Sequence, residues 1–311
     1  MAANPETIFE TVAFTLNGKN VEALAGESII QAAERMGTEI PRLCYTEGMR
    51  ADGNCRACVV EIDGERALAP SCCRNPKPGM VVNSDNARAR KSQKMVLELL
   101  MSDQPEQSYT LDNELTHWAK KLEIGKPRFK ARHQPKADLS HSAIAVNLDA
   151  CIQCTRCVRA CRETQVNDVI GFAKRGHKAE IVFDIGDAMG DSSCVACGEC
   201  VAACPTGALS NATGAHQIEA DKKVDSVCPY CGVGCLLTYH VKNEKIIRVE
   251  GRDGPANFGR LCVKGRYGFD YVNHKQRLLK PLIRKEGIPK GINEHFDPSD
   301  PSKMFREATW E

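Results

Sequence analysis

Cys151-Ile152-Gln153-Cys154-Thr155-Arg156-Cys157-Val158-Arg159-Ala160-Cys161 and Cys194-Val195-Ala196-Cys197-Gly198-Glu199-Cys200-Val201-Ala202-Ala203-Cys204-Pro205 are two copies of one pattern, C-x2-C-x2-C-x3-C. Three thiolates at this spacing on a tight loop can cap three irons of one cubane. The fourth cysteine starts the next helix, points away, and reaches the cubane of the other run. The pattern therefore predicts one [4Fe–4S] cluster on Cys151, Cys154, Cys157 and Cys204, and a second on Cys194, Cys197, Cys200 and Cys161. A pair of zinc sites is the alternative, since soft thiolates suit both metals. Zinc, however, usually takes two C-x2-C knuckles per tetrahedron rather than a triple run with an exchanged fourth ligand.

Working outward, two further cysteine sets flank the repeat. On the N-terminal side stand Cys44, Cys55, Cys58 and Cys72, with gaps of ten, two and thirteen residues. A long first loop, a C-x2-C pair and a distant fourth cysteine fit a [2Fe–2S] rhomb, which needs two thiolates per iron; a four-thiolate zinc site stays open on spacing. The fourth position is ambiguous because Cys72 and Cys73 are adjacent. On the C-terminal side, Cys228-Pro229-Tyr230-Cys231-Gly232-Val233-Gly234-Cys235 is completed by Cys262, a C-x2-C-x3-C-x26-C spacing that a zinc ribbon also satisfies.

The rest of the composition says what holds such a chain together. At 311 residues there is room for two or three modest domains, and an aromatic content of 5% argues against large apolar cores. Metal clusters are one way for thin-cored domains to gain stability. The balance of 42 Lys+Arg against 40 Asp+Glu gives no reason to expect nucleic acid or an anionic membrane as partner. Seventeen cysteines would suggest disulfides in a secreted chain, but Met1–Ala13 carries acidic residues and neither a basic n-region nor an apolar h-region. There is no run of roughly 18 apolar residues and no twin-arginine signal. A cytoplasmic protein with reduced, metal-binding thiols is expected.

Along the chain, the pattern predicts an α+β multidomain protein. Residues 9–84 read as a small ferredoxin-like unit: a hairpin over Phe9–Leu24 turning at Asn17-Gly18, a helix Ile29–Met36 capped by Ser28 and closed by Gly37, the cysteine loop, and a second hairpin Val59–Ile62 to Arg66–Leu68. Residues 85–140 read as a helix over Asn86–Met101 followed by a wrapping linker with one short helix near Leu115–Leu122. Met95, Val96, Leu99 and Leu100 are expected on the helix's apolar face. Its Arg88, Arg90, Lys91 and Lys94 read as a solvated face rather than a docking patch. The double-cubane domain takes 141–218. A third domain, 222–278, has the knuckle and strands Leu236–Val241 and Lys245–Val249 joined at Asn243-Glu244. Residues 279–311, with Pro281, Pro289, Pro298 and Pro301, read as irregular.

Three resemblances follow from these residues. The repeat resembles the bacterial two-[4Fe–4S] ferredoxins, although Arg162 stands where that family often has Pro and the insertion Glu163–Ser193 is long. Gly53-Asn54-Cys55-Arg56-Ala57-Cys58-Val59-Val60-Glu61 resembles the N-terminal, plant-type-like [2Fe–2S] domain of the complex I iron–sulfur subunit and of its hydrogenase and formate dehydrogenase relatives. Against that pattern, Pro70-Ser71 and Gly79-Met80 align with Cys72 as the fourth ligand and Pro76 with Cys73; Cys72 is taken as the ligand and Cys73 as an inert neighbour. In that family a [4Fe–4S] site held by one histidine and three cysteines commonly follows. Here His117, His133 and His141 lie in the corresponding region without any cysteine, so that site is expected to be absent and these histidines to be surface residues.

The C-terminal set, with Gly259-Arg260-Leu261-Cys262-Val263-Lys264-Gly265, resembles the opening domain of molybdenum/tungsten bis-pterin oxidoreductases. The resemblance implies a third [4Fe–4S] cluster on Cys228, Cys231, Cys235 and Cys262, with Lys264 between cluster and pterin as a cofactor-binding residue. The order of the three domains resembles the N-terminal part of the large subunit of cytoplasmic NAD-dependent formate dehydrogenases. That implies electron transfer from a molybdenum or tungsten bis-pterin guanine dinucleotide, bound by the full-length subunit, to a flavin/NAD subunit like that of complex I, with a small [2Fe–2S] subunit as a further partner. An iron–sulfur subunit of an NAD-linked hydrogenase or of another molybdopterin enzyme is the alternative. Ala308-Thr309-Trp310-Glu311 looks like the start of a pterin-binding segment, so a truncated subunit or a split gene product is expected, with no catalytic residue of its own.

Overall fold

The computed structural model describes residues 10–132, 134–290, 297 and 299–311. It divides into two compact units: the chain up to Glu219 together with Arg260–Val263, and Ala220–Gly259 together with Lys264–Glu311.

The first unit begins with strands β1 (Thr11–Leu16) and β2 (Lys19–Leu24), paired antiparallel with Phe14 opposite Val21. Asn17 and Gly18 take positive φ of 50° and 77°, the left-handed pair that a two-residue turn between right-twisted strands requires. Helix α1 (Ile29–Arg35) follows; the Ser28 N–H donates to Gln31 Oε1 at 2.9 Å, and Gly37, at φ 74°, ends it. Its Ile29, Ile30, Ala32 and Ala33 are buried against Phe14, Leu16 and Val60 in one core. β3 (Val59–Ile62) leaves the cysteine loop directly, so the sheet holds that loop by its end.

Two expectations need correcting here. The return strand of the second hairpin is β4 (Ala69–Pro70), which pairs with Val60 and Val59, not Arg66–Leu68. Pro70 has no N–H to donate and sits where the sheet ends, an edge position it tolerates. The other half of β3 pairs instead with β5 (Val81–Asn83), a strand the sequence reading did not identify; it also lies parallel to β1, giving the order β2-β1-β5-β3-β4. Three residues are too few to show a period.

Helix α2 (Ala87–Met101) is capped by Asn86, whose side chain accepts from the Ala89 N–H at 2.9 Å. Its buried residues are Ala89, Gln93 and Leu97, whereas Leu99 is exposed and Met95, Val96 and Leu100 are half-buried. The face is rotated from the expected one because Gln93 goes inside, where its amide donates to the carbonyls of Val59 (2.9 Å) and Ser84 (3.0 Å). Arg88 is tied to Glu61 at 2.5 Å, and Lys91 and Lys94 are exposed. Helix α3 (Glu114–Lys121) packs on α2, and Leu43, Leu97, Leu115 and Leu122 form a second core. His117 is exposed, but His141 is not a plain surface residue: its Nδ1 accepts from the N–H groups of Ala143 (3.1 Å) and Ile144 (3.2 Å). His133 lies outside the described residues.

The cysteine repeat is closed at its ends by β6 (Ile144–Val146) paired with β9 (Leu209–Asn211). Helix α4 (Arg156–Arg159) carries the third cysteine of the first run and its π-helical continuation at Ala160–Thr164 the fourth; α5 (Glu199–Ala203) carries the third cysteine of the second run. The long insertion between the runs folds into a hairpin of β7 (Ile170–Ala173) and β8 (Glu180–Phe183).

The second unit carries an antiparallel sheet of β10 (Lys222–Val227), β11 (Leu236–Lys242) and β12 (Lys245–Gly251). β11 and β12 turn at Asn243 and Glu244, both at positive φ, as the sequence pattern suggests; β10 goes beyond it. The tail is not wholly irregular: β13 (Leu282–Arg284) pairs antiparallel with β14 (Phe305–Glu307). Pro298 lies outside the described residues.

Candidate metal centres

The two C-x2-C-x2-C-x3-C runs adopt the same backbone course. Gln153 and Thr155 in the first run have φ of 56° and 62°; Ala196 and Gly198 at the matching positions have 54° and 74°. Three of these four residues have side chains and pay for the left-handed conformation with strain, of a kind that clusters at functional sites. Alternating left-handed residues turn successive N–H groups toward the inside of a loop, a concavity suited to an anionic group. The matching N–H groups duly point at sulfur: Gln153 N–H donates to Cys151 Sγ and Ala196 N–H to Cys194 Sγ, both at 3.4 Å. The fourth cysteines also accept, Cys161 from Val169 (3.3 Å) and Cys204 from Leu209 (3.5 Å). Such bonds stabilise thiolate sulfur and set cluster potentials.

Each fourth cysteine lies with the opposite run. Cys204 lines one small cavity together with Cys151, Cys154 and Cys157. The Cys161 sulfur is close enough to Cys194 and Cys200 that a charge on it raises both their pKa values. Burial is the main cause throughout: it pushes the Cys151 thiol up to about 11 and raises the Cys154, Cys157 and Cys200 thiols above their ordinary value as well. Bare thiolates are costly in these pockets, so a metal that binds there displaces protons and supplies the compensating charge. The four sulfurs of each crossed set therefore fit a cubane.

In the N-terminal loop, Cys58 and Cys72 bring their sulfurs within 3.4 Å, and the Cys44 N–H donates to Cys55 Sγ at 3.4 Å. Hydrogen bonds from Cys55 and Cys72 hold the Cys44 thiol far below its ordinary range, and the same contacts push Cys55 and Cys72 up. These four cysteines thus form one group of neighbouring sulfurs, as two irons sharing four thiolates would need. Cys72 is 3% exposed, whereas Cys73 is exposed, with its sulfur 3.6 Å from that of Cys72.

The N-terminal loop and the first run are bolted together by two buried arginines of α4. Arg159, 3% exposed, donates to the carbonyls of Cys44 and Arg50, to Cys154 O at 3.3 Å, and pairs with Asp52 at 3.3 Å. Arg156 donates to Leu43 O at 3.3 Å and holds both Glu114 oxygens at 2.8 Å. Arg132 donates to Cys151 O at 2.9 Å from the segment expected to be a linker. None of the three stood out in the sequence; only Arg156 offered a signal there, a basic residue directly before a ligand cysteine.

In the second unit, the knuckle Cys228–Cys235 is closed by the Cys228 N–H donating to Cys235 O at 2.8 Å. Cys228 is buried, Cys235 half-buried and Cys231 exposed. Cys262 is exposed and lies in the Arg260–Val263 segment that belongs to the first unit. Lys264 is exposed in the short helix α6 (Val263–Tyr267). No group of three His, Cys, Asp or Glu side chains that could hold a single metal ion occurs among the described residues, so the cluster reading rests on spacing, sulfur contacts and N–H···S bonds.

Comparison with known proteins matches three iron–sulfur domain types along the chain. Residues 10–87 match the 2Fe-2S iron-sulfur cluster binding domain, residues 150–208 the 4Fe-4S dicluster domain, and residues 221–274 the molybdopterin oxidoreductase Fe4S4 domain. The chain is 32% identical to an NADH-quinone oxidoreductase subunit of Rhizobium meliloti (strain 1021) over 88% of its own length and 33% of that protein's. It is 27% identical to a putative formate dehydrogenase of Staphylococcus haemolyticus (strain JCSC1435), over 89% of this chain and 33% of that one. Among solved structures it resembles a chain of an NAD+-reducing [NiFe]-hydrogenase in the H2-reduced state, with a TM-score of 0.60 and 26% identity over 64% of this chain and 87% of that one. The chain spans about one third of the length of these curated relatives. No described helix is long and apolar enough to cross a membrane. The chain is an iron–sulfur electron-transfer protein built of 2Fe-2S, dicluster 4Fe-4S and molybdopterin oxidoreductase Fe4S4 domains, and its homologues include an NADH-quinone oxidoreductase subunit and putative formate dehydrogenases.

Proposed function

We propose that this chain is the electron-transfer part of an NAD-dependent formate dehydrogenase, linking a molybdenum or tungsten bis-pterin site to a flavin/NAD subunit. The observation that carries the reading is the packing, within one unit, of the N-terminal cysteine loop against a double run whose fourth cysteines are exchanged. That arrangement suits relay of electrons, not isolated structural ions. Cys44, Cys55, Cys58 and Cys72 would hold a [2Fe–2S] cluster; the two crossed sets and Cys228, Cys231, Cys235 and Cys262 would hold three [4Fe–4S] clusters. When bound, these clusters supply one-electron transfer. The chain's own part is to bury the sulfurs, donate N–H bonds to them and fix the loops that carry them. Lys264, two residues after the last ligand, would place a fixed positive charge beside the pterin.

The NAD-linked hydrogenase reading draws on the likeness to the NAD+-reducing hydrogenase, which covers 64% of this chain. The molybdopterin-type domain at residues 221–274 favours the bis-pterin reading. Anaerobic reconstitution of the chain should give a brown protein with about fourteen irons, two plus three times four. A colourless zinc protein would sink the whole reading. Hydrogen-dependent, formate-independent NAD reduction by the complete enzyme would transfer it to the hydrogenase class.

A further inference from the structure

A single nitrogen joins ligand-bearing backbone from two of the cysteine sets. Arg159 Nη2 donates to the carbonyl of Cys44 in the N-terminal loop and, at 3.3 Å, to that of Cys154 in the first run. Its other terminal nitrogen, Nη1, donates to Arg50 O on the N-terminal loop. The guanidinium is buried, its side chain 3% exposed, and the Asp52 carboxylate 3.3 Å away balances its charge. A second link lands on the same carbonyl. Asn54, immediately before Cys55, donates from its side-chain amide to Cys154 O at 3.4 Å and to Thr155 Oγ1 at 3.1 Å. Thr155 Oγ1 in turn donates to Asp52 at 2.8 Å. All of these residues belong to the first compact unit.

We propose that Arg159 is the positioning residue that holds the [2Fe–2S] loop against the cubane of Cys151, Cys154, Cys157 and Cys204, and so sets electron exchange between those two clusters. The inference rests on the cluster assignments proposed above. One electron leaves one cluster and enters the other with no bond made or broken, so the chain's contribution is to fix the geometry of the two sites. Because Asp52 balances the charge of Arg159, that contribution is geometric rather than electrostatic. A planar guanidinium meets carbonyls from two loops and a carboxylate at once, whereas an ammonium on a flexible stem does not fix them in one arrangement. Arg50 also ties the N-terminal loop to Glu163 at 3.0 Å, but its side chain is 61% exposed and such a pair contributes little.

The test uses the reconstituted full chain in its fully reduced state, with iron content measured and the magnetic interaction between the two clusters read by pulsed EPR. Unaltered protein without about fourteen irons defeats the cluster assignments, and the proposal with them. In loaded protein, Arg159→Gln should weaken the interaction and slow electron exchange between the two clusters, followed by freeze-quench EPR, by about tenfold or more. Arg159→Lys should recover part of both, and Arg50→Ala should change neither. Joint loss of the [2Fe–2S] cluster and the first-run cubane, with the second-run cubane retained, also supports the proposal. If Arg159→Gln holds no cluster at all, Asn54→Ala decides, since the Asn54 side chain is exposed and its loss leaves the core untouched. A weaker interaction in that variant supports the link, and an unchanged one overturns it. Unchanged interaction and exchange in a loaded Arg159→Gln protein, or loss of only one of the two clusters, also overturns the proposal.

Discussion

Cys72 and Cys73 are chemically identical neighbours with opposite surroundings. The Cys72 sulfur is buried against Cys58, whereas Cys73 is exposed and faces Gly53, where an added Cβ would lie 2.9 Å from its sulfur. Gly53, at φ 63°, therefore keeps the loop close to this second sulfur at a point where no other residue fits easily. Under the assignment proposed here, Cys72→Ala should abolish the [2Fe–2S] EPR signal with a loss of about two irons, and Cys73→Ala should leave both intact. The reverse pattern would make Cys73 the ligand. Flanking residues pointed both ways in the sequence, because adjacent cysteines share every neighbour; side-chain direction is what separates them.

At the scale of elements, α4 and α5 decide which sulfur goes where. Each begins at a left-handed residue, Thr155 or Gly198, and carries its run's third cysteine inward; α4 and its π-helical extension also carry the run's fourth cysteine away. Cys157→Ala and Cys161→Ala, although only four residues apart, should then damage different cubanes, distinguishable by EPR. Loss of the same cluster in both variants would mean that each run binds its own. Helix α2 has a different task, supporting the [2Fe–2S] loop from below through Leu43 and Ala57. Leu97 is fully buried in that cluster. Leu97→Ala should cost about 2–5 kcal/mol in a urea titration of the reconstituted protein. A loss under about 1 kcal/mol would show that the second core collapses around the gap.

For the whole molecule, the proposed role depends on what lies next to Lys264. In an enzyme carrying the complete subunit, Lys264→Ala should leave every cluster assembled but slow formate-dependent cluster reduction by about tenfold or more, the scale of one removed charge-assisted contact of roughly 1.5–3 kcal/mol. Lys264→Arg should be milder, since the charge remains. Rapid-mixing absorbance would measure both, and unchanged reduction rates in the two variants would reduce Lys264 to a surface lysine.

Much of this protein was written locally. The Asn17-Gly18 hairpin, the Ser28 helix cap and the cysteine spacings depend on residues a few positions apart, so composition and order suffice to read them. The same holds for the three domain types, because ligand spacing is dictated by cluster geometry and not by the surrounding fold. Tertiary structure decided what spacing cannot encode. It inserted β5 between β1 and β3, turned α2 so that Gln93 faces inward, and folded the insertion after Glu163 into a hairpin. It also placed Arg132, Arg156 and Arg159 against ligand-bearing carbonyls far along the chain. A buried guanidinium is stable only where distant carbonyls and carboxylates converge on it, and that convergence exists only once the chain has folded.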